Sequence, residues 1–193
     1  MNETHPSLLC RAVSGEAAAW ERIVNLYQPM IHAWLRRLSV PPQEAADLAQ
    51  EVMAVVVKEL PGFAHAGHPG SFRGWLRAIT VNRVRAFLRR GRWREHAPSG
   101  DFVFNLLDQL TDPTSTLTQE WNAEHDAHVV RRILAMVETD FEPTTVRIFH
   151  RLVLHEAQPA DVAAELGMPV AAVYGAKSRV LQRIRREAEG LLN

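Results

Sequence analysis

The sequence predicts an all-α protein of two small helical domains joined by a linker. Three observations lead there. Apolar residues recur at steps of three and four along most of the 193 residues. Proline and glycine fall between these runs and so punctuate helices. A Thr/Ser-rich run with Pro98, Gly100 and Pro113 separates the two periodic parts, placing a linker at residues 95–125 between domains at 10–94 and 126–193.

Residues 14–38 carry the first helical run: Trp20, Ile23, Val24, Tyr27, Ile31, Trp34, Leu35 and Leu38. Ser14 suits its N-cap. Pro29 removes a backbone donor, so a kink or break is expected there. Pro41 and Pro42 end the unit. A second helix spans about 43–60, with Ala45, Ala49, Val52, Met53, Val56 and Leu60 as its buried stripe. Asp47, Gln50 and Glu51 share its opposite face, since they sit at i, i+3 and i+4. Most such faces are simply solvated; the other reading is a docking edge for a basic partner helix. Residues 61–70 form a Pro/Gly-rich loop. Its His65 and His68 have no third ligand nearby, so no metal site is expected.

Residues 71–94 form a basic amphipathic helix. This stretch holds eight arginines and no acid. Phe72, Trp75, Leu76, Ile79 and Phe87 supply one apolar face. The arginines need anions from outside the stretch. Either a polyanion, nucleic acid first among them, or acids elsewhere in the fold would serve. Formal net charge is zero, but it is segregated: residues 95–173 carry thirteen acids and four bases, residues 174–193 two and five. Residues 95–125 lose helical periodicity, although Phe102, Phe104, Leu106 and Leu107 are apolar enough to dock. Helical spacing resumes from about Glu124, with stripes through Val130, Ile133, Leu134 and Val137 and then Val146, Phe149, Leu152 and Val153.

The C-terminal part has a sharper signature. Residues 159–166, PADVAAEL, make a short helix with proline at its start. Gly167 suits the turn, and a second helix follows Pro169 to about Ala188. Ala163, Gly167 and Val173 fall at helix-turn-helix spacing. Lys177, Arg179, Arg183, Arg185 and Arg186 make the second helix basic, as a major-groove reader would be.

The single cysteine, Cys10, excludes an intrachain disulfide and a cysteine-based zinc site. No cofactor and no enzymatic activity are expected, because no carboxylates or histidines cluster for acid–base or metal work. No signal-peptide pattern and no run of the ~20 apolar residues a membrane span needs is present. A cytoplasmic protein without a membrane partner is the expectation.

The order of these segments resembles a known family. Asp47 to Val52 (DLAQEV), then Ser71, Phe72, Arg73, Gly74, Trp75 and Leu76, then Ile79 and Asn82, resemble region 2 of bacterial RNA polymerase sigma factors. The C-terminal helix-turn-helix resembles their region 4. The short length points to the extracytoplasmic-function (ECF) subfamily of the sigma-70 family. The resemblance implies promoter recognition, melting and transcription initiation with core RNA polymerase, contacting its β′ clamp helices and β subunit. It implies promoter DNA, duplex and single-stranded, as a second partner and allows an anti-sigma factor as a third. Asp47, Gln50 and Glu51 would dock polymerase. Phe63, Ser71, Arg73, Arg77, Asn82, Arg83, Arg85 and Arg89 would contact the minus-ten element, with a flipped base held by the loop at 61–71. Ala172, Tyr174, Lys177, Ser178, Arg179 and Arg183 would face the minus-thirty-five element. The sequence departs from the family at Ala86, where a polar side chain is usual, and at Ala172 to Ala176, where Thr-Val-Lys-Ser-Arg is usual. A stand-alone helix-turn-helix regulator is the alternative; it leaves the DLAQEV face and the arginine helix without a task.

Overall fold

The structure, a computed structural model, describes residues 7–63, 71–90 and 100–192. Helix α1 (Leu8–Val13) opens on Ser7, whose Oγ accepts from the Cys10 N–H at 3.4 Å. It buries Leu8, Leu9 and Ala12. Ser14, the expected start of the first helix, instead ends α1. Gly15 turns the chain at φ +92°, and α2 (Ala17–Arg37) follows Glu16.

Pro29 does not break α2. A proline leaves the carbonyl four residues back without its helical donor. Here that carbonyl, Asn25 O, accepts from Arg132 Nη2 at 3.1 Å. His128 Nε2 lies 2.7 Å from the next carbonyl, Leu26 O. Both side chains come from α6 (Thr116–Glu138), so a tertiary contact satisfies what the proline frees. Pro42 at the first position starts α3 (Pro42–Glu59), which ends in a short 3-10 turn at Leu60–Gly62. Helix α4 (Ser71–Arg89) holds most of the basic stretch.

Residues 100–125, the described part of the expected linker, differ from the expected loss of periodicity. They contain α5 (Gly100–Thr111) and the start of α6. Val103, Leu107 and Leu110 of α5 are buried at helical spacing. Ser115 caps α6: its Oγ accepts from the Thr118 N–H at 3.1 Å and donates to Gln109 O at 2.6 Å. The first turns of α6 bury Trp121 together with polar Thr118 and His125, which hides the apolar pattern. Trp121 packs against Trp34 of α2, ring centroids 4.8 Å apart.

Helices α7 (Pro143–Val153), α8 (Pro159–Leu166) and α9 (Val170–Ala188) follow. They share a small core of Ile148, Leu152, Val162, Ala163, Val173 and Ala176. The main core draws on α1 to α6 and adds Phe149, Val180, Ala188 and Leu191. Helix α9 therefore packs on α6 and α1 as well as on α7 and α8. An ion pair seals the α1–α9 contact: Arg11 Nη2 meets Glu187 Oε2 at 2.9 Å, with the Glu187 side chain 3% exposed. No strand occurs among the described residues, and no described helix is long and apolar enough to cross a membrane.

Candidate nucleic-acid and polymerase interface

Helix α4 buries Phe72, Leu76, Ile79, Thr80, Val81 and Val84. Thr80 satisfies its hydroxyl within the helix, donating to Leu76 O at 2.9 Å. The buried set fixes which way the remaining side chains point. Ala78, Asn82 and Arg89 are exposed and lie on one stripe, at steps of four and seven. Arg83 is half-buried on one flank; neither it nor Arg89 has an acidic partner among the described residues.

The other flank is occupied. Arg73 Nη1 meets Asp126 Oδ2 at 2.5 Å, Arg77 Nη1 donates to Asn122 Oδ1 at 2.8 Å, and Arg85 Nη2 meets Asp108 Oδ1 at 2.7 Å. All three acceptors stand on α5 and α6. Acids elsewhere in the fold thus partner part of the basic helix, as one of the two sequence readings allowed. Burial, then the neighbouring Arg73 charge, lowers the Arg77 guanidinium below its ordinary pKa. At the end of α4, Arg90 Nη1 stands 3.7 Å from Glu51 Oε1.

Beneath Arg73 lies a buried aromatic and polar cluster. His125 is fully buried, stacks on Tyr27 with centroids 5.6 Å apart, and places Nδ1 2.9 Å from Asp126 Oδ1. Burial lowers the His125 pKa from its ordinary 6.5, against the raising effect of Asp126. Burial also raises Tyr27, with the Asp126 charge adding to it. Phe63 joins from the other side. It stacks on Trp75 at 4.6 Å and meets Phe72 edge-on at 6.0 Å. Ser71, at the first position of α4, is half-buried. Residues 64–70 of the loop expected to hold a flipped base, with His65 and His68, and Arg92 and Arg94 lie outside the described residues.

On α3, Asp47, Gln50 and Glu51 are all exposed on one face. In the C-terminal part, Gly167 takes the left-handed conformation at φ +62°, and the Gly167 and Met168 N–H groups close the end of α8. Ala163 and Val173 are buried where the two helices meet. Ala172, Tyr174, Ser178 and Arg179 are exposed on the first turns of α9, Tyr174 at 54%; Lys177 is half-buried. Gly175 leaves room for the Arg179 guanidinium, whose Nη1 would sit 3.4 Å from an added Cβ. Arg183 continues the stripe of Ala172 and Arg179 by one more turn, and its guanidinium is engaged within the fold. It pairs with Asp140 at 2.9 Å and reaches Glu187 at 3.0 Å. No group of three potential metal ligands occurs among the described residues.

Residues 23–94 match the family model for sigma-70 region 2. The chain is also similar over almost its whole length to the ECF RNA polymerase sigma factor ShbA of Streptomyces griseus, at 31% identity, covering 95% of this chain and 94% of that protein. The chain belongs to the ECF RNA polymerase sigma factors. A probable RNA polymerase sigma factor, RfaY of Xanthomonas campestris pv. campestris, is 28% identical over 93% of this chain and 42% of its own length. The ECF RNA polymerase sigma factor SigF of Caulobacter vibrioides is 29% identical over 55% of this chain and 59% of its own.

Within this ECF sigma factor, the structure adds residues that no motif marks. Asp108, Asn122, Asp126 and Glu187 are partners of arginines in distant helices, 23 to 176 residues away in sequence. The available signal was the acid-rich composition of residues 95–173 beside two basic stretches.

Proposed function

We propose that this sigma factor binds core RNA polymerase and directs promoter recognition, melting and transcription initiation, acting in the cytoplasm without catalysis of its own. The observation that carries the reading is the joint exposure of Asp47, Gln50 and Glu51 on α3 and of Asn82 on α4, in a chain of this family. In this reading residues 10–94 serve polymerase and the minus-ten element, residues 126–193 serve the minus-thirty-five element, and residues 95–125 connect them.

The roles follow from side-chain chemistry. The carboxylates of α3 suit a basic surface on the polymerase β′ clamp helices. The arginines of α4 exchange counterions for phosphates, which attracts DNA of any sequence. Asn82 carries both a donor and an acceptor, so it can read a base edge. Capturing a flipped base must offset an extrusion cost of a few kcal/mol. Phe63 and Trp75 present partly buried rings beside the loop, and stacking on such a ring contributes ~1–3 kcal/mol per base. Phe72 is fully buried and serves the core. The exposed start of α9 suits the major groove, with Arg179 as the bidentate donor and Tyr174 as an apolar contact.

Charge reversal on α3 tests the polymerase assignment. Asp47→Lys with Glu51→Lys replaces two exposed carboxylates and leaves the buried stripe of α3 untouched. Affinity for core polymerase should fall about tenfold or more, through like-charge contact. Unchanged affinity, with an unchanged circular dichroism spectrum, would remove the docking role from this face.

A further inference from the structure

The groups that hold the arginine flank of α4 are oxygen acceptors, as DNA phosphates are. Asp108 takes Arg85 at 2.7 Å, Asp126 takes Arg73 at 2.5 Å, and the Asn122 amide oxygen takes Arg77 at 2.8 Å. Helix α6 is fastened next to them. Glu120 and Glu124 both pair with Arg37 of α2, and Trp121 is fully buried. Asn122 and Asp126 are therefore held against α4 by a packed helix, and Asp108 by α5, whose Val103, Leu107 and Leu110 are buried.

We propose that the acidic face of α5 and the first half of α6 is an intramolecular competitor of DNA, occupying Arg73, Arg77 and Arg85 in the free chain. This rests on the reading of α4 as a minus-ten surface. Two features of the contact favour displacement. The Asp108 side chain is 70% exposed and that of Asp126 38%, so both pairs are screened by water and salt and are individually weak. The match is also incomplete, because the adjacent guanidiniums of Arg73 and Arg77 meet one carboxylate and one neutral amide. A polyanion supplies a charge for each. The open stripe of Asn82 and Arg89 gives DNA a first contact before any pair is exchanged. The free chain then binds DNA weakly by itself, and the three arginines add their contacts once the acids are displaced.

The test is fluorescence anisotropy of a labelled single-stranded oligonucleotide of random sequence, titrated with the full chain across a range of salt. Asp108→Asn with Asp126→Asn should bind about 2- to 30-fold tighter than the parent, the sum expected for two pairs of this exposure. The fall of affinity with salt should steepen, by about 0.7 in the logarithmic slope for each arginine released. Asn122→Asp should act in the opposite sense, because it completes the match to Arg77, and should weaken binding. Asp108→Asn alone alters only an exposed side chain and keeps the comparison valid if the double variant is unstable. Arg83→Ala with Arg89→Ala tests the underlying reading separately. If these two leave oligonucleotide affinity unchanged, α4 is not the DNA surface. If they weaken it while Asp108→Asn and Asn122→Asp change nothing, α4 binds DNA and the competition is refuted.

Discussion

Replacing Arg11 with methionine should destabilise the chain by about 3 kcal/mol. Glu187 is the reason. Its side chain is 3% exposed, and its two oxygens are served by two guanidiniums, Arg11 at 2.9 Å and Arg183 at 3.0 Å. The Arg183 contact has the distance of an ion pair but not the alignment of a hydrogen bond, and Arg183 is shared with Asp140. Removing Arg11 leaves a buried carboxylate with half a partner. Breaking a buried pair from one side costs about 3–5 kcal/mol, and the remaining guanidinium puts this case at the lower end. For a chain of this size that is a drop of roughly 6–12 °C in Tm. Thermal unfolding followed by circular dichroism, with urea titration for the free energy, measures it. The double variant Arg11→Met with Glu187→Met should recover most of the loss, because it removes both charges and keeps the volume. A single variant within about 0.5 kcal/mol of the parent, or a double variant as unstable as the single, would refute the view that this pair clasps α1 to α9.

Three further outcomes are expected. Asn82→Ala should reduce promoter opening more than duplex binding; permanganate footprinting beside a mobility-shift assay separates the two, and equal losses would assign Asn82 to the duplex. Arg179→Ala should cost ~1–3 kcal/mol on a minus-thirty-five duplex and little on scrambled DNA, whereas an equal loss on both would make Arg179 a phosphate contact. His125 faces Tyr27 from α2, Arg73 from α4, and Asp126 and His128 on its own helix, and its lowered pKa means that the folded chain resists protonating it. The stability this gives is fully present above the ordinary value of 6.5 and is lost as pH falls below it toward the lowered value. Tm should therefore drop between pH about 7.5 and about 5.5, and His125→Phe should flatten that drop; a parent chain with no slope there would contradict it.

The parts legible in the sequence are those set by short-range rules. The helix-turn-helix is one: a proline start, a glycine that takes positive φ, and two small or branched residues at the crossing are all local requirements, and α8 spans the expected 159–166. The stripe of α3 is another, because every third or fourth side chain must be apolar to bury. What the sequence concealed depends on contacts across the fold. Helix α1 is only six residues long and gains its order from burial of Leu8 and Leu9 rather than from a periodic run. The start of α6 buries Thr118 and His125, so a search for apolar spacing passes over it. Pro29 is tolerated because Arg132, far along the chain, takes the carbonyl it leaves. Arg183 reads as part of a basic DNA face, with no sign in the sequence that Asp140 and Glu187 pair with it in the free chain. The exposed residues expected to meet polymerase and DNA were readable from motif and helical face; which arginines of α4 are engaged in the free chain was not.

Transcription from genomic fragments by core RNA polymerase of the same organism, with and without the purified chain, tests whether this protein directs initiation. Discrete run-off products that depend on the chain are expected, with loss of those products on Asp47→Lys and Glu51→Lys. The same products from core polymerase alone, or no products from a chain that also fails to co-elute with the enzyme, would contradict it.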